Sequence, residues 1–395
     1  MTDENNDYAY KRAMHTHPTL SPIEIGSHEV KNRLGLGPIN SGLFGKNGNA
    51  DNGGIAFYKQ YIDDGLGIIY VGGVAVSPEG RSNAHSLLLN KDDRTLSLRR
   101  IVSLANESHS TIIVQLMHAG RQANPDEIGS AIVAPSSIPC PIVNHLPVEL
   151  SKKEIRRISN DFAHSAKLAE ESGAHIVELH ASHGYLISGF LSPYSNVRID
   201  EYGGTLKNRF RFLNEVFNKV SEKVSVPVGI RINCFENVIG GLTLEEVIEG
   251  VSEYLDGIPA YIAVSAGVYA KQDIIIPDRQ MGKAVWRQQS ETLKRYLPIP
   301  IMLSGNIDSL ELADDVIQKN EADIVLMVRA LLSDPNFLQK SLSKQKNDIQ
   351  ECIECYGCKY HSRGKDFVFC PFNSILVKMH TDLNKATSMA NSETI

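Results

Sequence analysis

The chain lacks an apolar run long enough to cross a bilayer: its longest, such as Gly67 to Val76, fall well short of the roughly 20 residues a spanning helix needs. It also lacks a basic stretch dense enough to track a phosphate backbone. With 40 Lys plus Arg against 46 Asp plus Glu and a formal charge of -6, nucleic acid is excluded as a partner. Cysteine is scarce, six in 395 residues, too few for a disulfide framework. The opening stretch, Met1 to Ser21, is polar and has no apolar core of the kind a secretory signal carries. These absences point to a cytoplasmic protein with neither membrane nor nucleic acid as partner. Disorder and collagen-like order are excluded by the 42% hydrophobic and 22% charged residues.

Eight apolar runs of strand length recur along the chain: Leu34 to Ile39, Gly67 to Val71, Ile112 to Leu116, His175 to Leu179, Pro227 to Ile232, Ala260 to Val264, Ile299 to Leu303 and Asp323 to Met327. Near-continuous Val, Ile and Leu runs suit strands buried on both faces. Between them lie amphipathic helices with their own start signals. Ser151-x-x-Glu154 precedes Ile155, Ile158, Phe162, Ala166 and Ala169, an apolar stripe that stops at Gly173. Thr243-x-x-Glu246 and Asp308-x-x-Glu311 repeat the device. Eight strand-helix units predict a parallel (β/α)8 TIM barrel rather than a doubly wound sheet, because the count closes a ring and no early G-x-G-x-x-G opens the first helix. The barrel with its N-terminal arm is assigned to residues 1–340, leaving 341–395 as a cysteine-rich extension with a polar end from Asp382. A long Pro-rich loop after strand three, Met117 to Leu150, is expected to shape a pocket on the catalytic face.

Polar residues stand where several strands end, the place from which such barrels project their reacting groups. Strand three ends in Gln115, Met117 and His118; strand four in His180, His183, Gly184 and Tyr185; strand five carries Arg231. Strand seven is followed by Ser304, Gly305 and Asn306, and strand eight by Val328 and Arg329. Glycine lets a backbone approach phosphate closely, and strands seven and eight are the usual phosphate end of this architecture, so an anionic cofactor is expected there. Two imidazoles aimed at one conjugated oxygen would stabilise the charge that hydride addition builds on it. A tyrosine with a pKa near about 10 stays protonated at neutral pH and can deliver a proton to the neighbouring carbon from the opposite face.

Four of the six cysteines, Cys352, Cys355, Cys358 and Cys370, are clustered as C-x2-C-x2-C-x11-C. Four thiolates can hold zinc or an iron-sulfur cluster. Structural zinc sites generally use two C-x2-C pairs separated by a longer spacer, so three cysteines two residues apart and a distant Cys370-Pro371 suit a cubane better. Cys140 and Cys234 read as pocket or core residues.

The ordered set of motifs resembles the Old Yellow Enzyme family of FMN-dependent oxidoreductases. It comprises NRLGLGPIN at 32–40, YVGGVAVSPEGR at 70–81, VQLMHAGRQA at 114–123, the block from Val177 to Arg211 and ADIVLMVRALLSDP at 322–335. The cysteine tail resembles that family's [4Fe-4S] branch, which contains 2,4-dienoyl-CoA reductase and trimethylamine dehydrogenase. The resemblance implies that Pro38, Ile39 and Gly73 pack on the flavin ring, that Gln115 bonds its pyrimidine edge and that Arg231 faces N1 and O2. Gly305, Asn306, Val328 and Arg329 would hold the phosphate, Val328 standing where the family commonly has Gly or Ala. His180 and His183 would bind the substrate oxygen, and Tyr185 would donate the proton. Asp200, Asn208, Arg209 and Arg211 belong to the signature but read as structural.

The implied activity is an NADH:flavin-type ene-reductase, acting on a small-molecule α,β-unsaturated carbonyl or thioester. A dienoyl thioester is disfavoured, since the dienoyl reductases carry a histidine after strand six where this chain has Tyr269-Ala270-Lys271-Gln272. The alternatives are an oxidative N-demethylase or amine dehydrogenase, and an electron-transfer subunit of a larger flavoprotein complex. In the first, Asn40 stands near the position of trimethylamine dehydrogenase's flavin-linking cysteine, so covalent attachment is not expected. Electrons would come from NAD(P)H or, through the cluster, from a ferredoxin or separate flavoprotein; a homo-oligomer is permitted but not specified.

Overall fold

A computed structural model describes residues 16–44, 49–343, 345–359 and 367–382. Residues 1–15, most of the 11-residue cysteine spacer and the polar end after Asp382 lie outside the described residues. All eight expected runs form strands: β1 (Leu34–Leu36), β2 (Ile68–Ala75), β3 (Thr111–Met117), β4 (Ile176–Ala181), β5 (Val228–Asn233), β6 (Ile262–Ser265), β7 (Ile301–Leu303) and β8 (Ile324–Met327). They pair in parallel and in sequence order, and β8 returns to β1 to close the ring. Each run differs from its expected bounds by a residue or more, and two of the differences shape the site. β1 stops at Leu36, freeing Gly37 to Asn40 to line a cavity instead of continuing the sheet. β2 runs on to Ala75, its register shifting between Val71 and Val74.

The helices wrap the outside, as their stripes require. In the helix Lys152–Glu171 the buried face is Ile155, Ile158, Phe162, Ala166 and Ala169, and Ser151 and Glu154 complete the capping box. Thr243 and Glu246 do the same for Leu244–Glu253. At the third site the cap is not Asp308 but Ser309, whose hydroxyl accepts from the Leu312 amide; Asp308 instead pairs with Lys283. Its side chain is drawn away by a cation distant in sequence, which local spacing does not reveal.

Side chains alternate along each strand, so every second residue enters the ring. Ile68, Tyr70, Ile113, Ile176, Tyr261, Met302 and Leu326 form one interior cluster, joined by Ile25 and Val30, which are fully buried. Those two come from a hairpin, Ile23–Ile25 with His28–Val30, that stops the lower end of the ring. The extension packs on the barrel: Phe367, Val368, Cys370 and Leu376 join its outer core, the Val368 amide donates to Ser41 O at 2.8 Å, and Asn373 is fully buried. Among the described residues no helix is long and apolar enough to cross a membrane.

Candidate active site

The upper end of the ring opens into a cavity of about 730 Å³. Every residue assigned above to flavin, phosphate or substrate lines it: Pro38, Ile39, Gly73, Gln115, His180, His183, Tyr185, Arg231, Gly305, Asn306, Val328 and Arg329. So do Ile142, Val143 and His145 of the long loop after β3, as expected of an insertion on this face. Cys352 and Cys358 also reach its wall, while Cys140 and Cys234 are buried.

Register builds the floor. Gln115 is paired with Glu178 across β3 and β4, and His180 with Arg231 across β4 and β5. Glu178 Oε1 accepts from Gln115 Nε2 at 2.7 Å and from Arg231 Nε at 3.1 Å. Its Oε2 accepts from the hydroxyls of Tyr70 at 2.5 Å and Tyr261 at 2.9 Å. Arg231 Nη1 donates to Ser265 Oγ at 3.2 Å, leaving the buried Nη2 with no partner. A buried guanidinium N–H without an acceptor is costly, and on a cavity wall it is suited to an anionic ring edge. Glu178 takes one of the two Gln115 amide N–H donors, which orients the amide with its oxygen beside Gly73, able to accept from a ligand. Gly73 is tightly confined, since an added Cβ would fall 2.2 Å from Met117 Sδ.

His180 and His183 stand with ring centroids 5.2 Å apart, and the Tyr185 ring lies 4.8 Å from His180. The Ser182 amide and hydroxyl lie 3.4 and 3.1 Å from His180 Nδ1. An amide can only donate, which makes Nδ1 an acceptor and assigns the proton to Nε2. His183 takes φ +62, its N–H held by Asn233 Oδ1 at 3.1 Å and its carbonyl by Gln122 Nε2 at 2.9 Å. Burial, with the nearby Arg231 charge adding to it, lowers the His183 pKa to about 3; burial and the charges of His183 and Arg231 push His180 well below its ordinary value. Both rings are neutral donors at physiological pH. Burial pushes Tyr185 up, opposed by its bond to Tyr269, whose hydroxyl is 2.9 Å away.

At the other end, Gly305 has φ +128 and Asn306 φ +56. Arg329 Nη2 donates to Pro277 O at 2.5 Å and to Asn306 Oδ1 at 3.0 Å, while Nη1 donates to Glu354 Oε1 at 3.1 Å. The Val328 side chain turns onto Gly37, where an added Cβ would come within 3.1 Å of Cγ2. The branched residue is therefore accommodated by a glycine just past the end of β1. Among the described residues, no three His, Cys, Asp or Glu side chains are gathered closely enough to hold a metal ion. Burial, with the charges of Cys352 and Cys355 adding to it, raises the pKa of both Cys358 and Cys370. Asp200, Asn208, Arg209 and Arg211 make structural bonds, to Arg198, Gly203 O, Glu246 and Glu201 O respectively.

Glu178, Tyr70 and Tyr261 are the floor residues that motif reading did not pick out. The available signal was a lone carboxylate inside the apolar run from Ile176 to Ala181, which a buried strand tolerates only when the charge is paired.

The model of the NADH:flavin oxidoreductase / NADH oxidase family matches residues 19–348. The chain belongs to that family. Its barrel is of the Old Yellow Enzyme type, within a family named for NADH:flavin oxidoreduction. It is 32% identical over 346 residues to an NADH oxidase of Thermoanaerobacter brockii, covering 86% of this chain and 53% of that protein. It is 33% identical over 339 residues to an NADPH dehydrogenase of Bacillus velezensis, covering 85% of this chain and 97% of that one. Among solved structures, a 2-naphthoyl-CoA reductase superposes with TM-score 0.85 at 24% identity, covering 90% of this chain and 56% of the other. The Old Yellow Enzyme homologue of Zymomonas mobilis gives 0.73 at 20%, covering 90% and 98%. At those identities the two structures speak for the fold alone. The chain spans about half the length of the first curated relatives it matches.

Proposed function

We propose that this protein is an FMN- and [4Fe-4S]-dependent ene-reductase that reduces the C=C bond of an α,β-unsaturated carbonyl or thioester. The observation carrying it is convergence: two neutral imidazoles, a protonated phenol and the Arg231 guanidinium line one cavity. Pro38, Ile39, Gly73, Gln115 and Arg231 would hold the ring, and Gly305, Asn306, Val328 and Arg329 the phosphate. When bound and reduced, FMN supplies the hydride. His180 Nε2 and His183 donate to the substrate oxygen, polarising the double bond and holding the charge that gathers there; each such donor contributes about 2–4 kcal/mol. Tyr185 gives its proton to the carbon beside the carbonyl, and the buried wall keeps water from competing.

Cys352, Cys355, Cys358 and Cys370 would hold the cluster: four soft thiols fit iron-sulfur chemistry. The reductant is NAD(P)H, in keeping with the family's name, or a ferredoxin or flavoprotein feeding the cluster. The free cysteines of the tail suit a reducing, cytoplasmic setting for this chemistry.

The test is anaerobic purification followed by an absorbance spectrum, an iron count and a panel of enones and N-methylamines. A yellow-brown protein with about four irons that consumes enones supports the reading. Colourless protein unable to take up FMN, or turnover of amines alone, rejects it.

A further inference from the structure

We infer that Glu178 sets the reduction potential of the bound flavin by opposing the charge of Arg231, with Tyr70 and Tyr261 moderating that opposition; this rests on the FMN assignment above. Four donors converge on one fully buried carboxylate, two on each oxygen. Oε1 faces two N–H groups that can only donate, and one of them makes it the partner of Arg231 in an ion pair at 3.1 Å. Below it the ring interior is apolar, filled by Ile68, Ile113, Ile176 and Leu326. Above it lie Arg231 and the cavity. The carboxylate's field is therefore weakly screened toward the cofactor.

The arrangement has its own provision in the sequence. A Cβ on Gly229 would fall 2.2 Å from Tyr261 Cε1, so glycine on β5 makes room for the phenol that reaches Glu178. Burial and the Glu178 charge both push Tyr70 and Tyr261 well above the ordinary phenol range, so each remains a donor.

Charge arithmetic supplies the function. Arg231 and Glu178 together are neutral, so gaining a negative charge on reduction takes the site from 0 to -1. Without Glu178 it would go from +1 to 0, and reduction would be easier. A residue that merely orients Arg231 would act the other way, because its loss would leave the cation misplaced and reduction harder.

The experiment is the flavin midpoint potential, read against reference dyes in FMN-loaded protein. Glu178→Gln should raise it, favouring the reduced form at least tenfold, or about 30 mV for a two-electron couple. Glu178→Asp, which keeps the charge, should return it most of the way to the wild-type value. Tyr261→Phe removes one hydroxyl that spreads the carboxylate charge, and should lower the potential by about threefold, or about 15 mV. If Glu178→Gln does not hold FMN, the sign of Tyr261→Phe decides. An unchanged potential in either loaded variant, or a fall in Glu178→Gln, overturns the inference while leaving the flavin assignment intact. Wild-type protein that binds no FMN overturns both.

Discussion

The hydroxyl of Tyr185, the residue closing the triad with His180 and His183, lies 2.9 Å from that of Tyr269 in the loop after β6. The second phenol stabilises charge on the first and holds its pKa below what burial alone would impose. Tyr185→Phe should cut C=C reduction by about 100-fold or more, the scale of a lost general acid, with flavin bleaching by NAD(P)H unchanged. Tyr269→Phe should leave turnover present but slower, and move the alkaline limb of the pH-rate profile upward, since Tyr185 becomes a weaker acid. An unchanged limb would remove Tyr269 from the proton path.

His183 is lowered to about 3, and His118 and His175 to about 4, chiefly by burial. Unfolded histidines take up protons near about 6.5, so below that pH the unfolded chain binds more protons than the native one. Stability is then at its full value above about 6.5 and falls as pH is lowered toward 4. Melting temperatures from pH 7.5 to 4.5 should show this decline, and His118→Gln should flatten part of it. A melting temperature independent of pH over this range would contradict the buried, neutral assignment.

Gly305 combines φ +128 with a position where an added Cβ would sit 2.9 Å from Trp286 Cδ1. Gly305→Ala therefore meets backbone strain of about 1–3 kcal/mol and displaces Trp286 or the loop. FMN affinity, measured by quenching of flavin fluorescence on titration with apoprotein, should fall about tenfold or more while the circular dichroism stays native.

Arg329 bonds Asn306 on one side and Glu354 of the cysteine segment on the other. Arg329→Gln should weaken FMN binding and also lower the iron retained per chain, because one side chain ties both regions. Loss of flavin with full iron would separate them.

The fold was legible because burial on both faces forces every strand into a dense apolar run, and eight such runs leave few ways to close a sheet. The cavity residues were legible because polar side chains at strand ends break that pattern at the catalytic face. Glu178 escaped because its partners come from β2, β3, β5 and the residue before β6, and pairing across strands has no trace in local spacing. Asp308 misled for the same reason: its pairing with Lys283 from another segment outbid the cap that its neighbours advertised. The cysteines were obvious as a set, but their link to the phosphate end depends on Glu354, a residue with no motif of its own.

The side chains that fill the ring, Tyr70, Ile113, Ile176, Tyr261, Met302 and Leu326 among them, close the cavity from below and leave it one mouth. Two molecules that both need its reacting face must then take turns, the first departing before the second arrives. Initial rates with NAD(P)H and an enone should accordingly draw parallel double-reciprocal lines, a kinetic habit imposed by buried side chains that never meet either reactant.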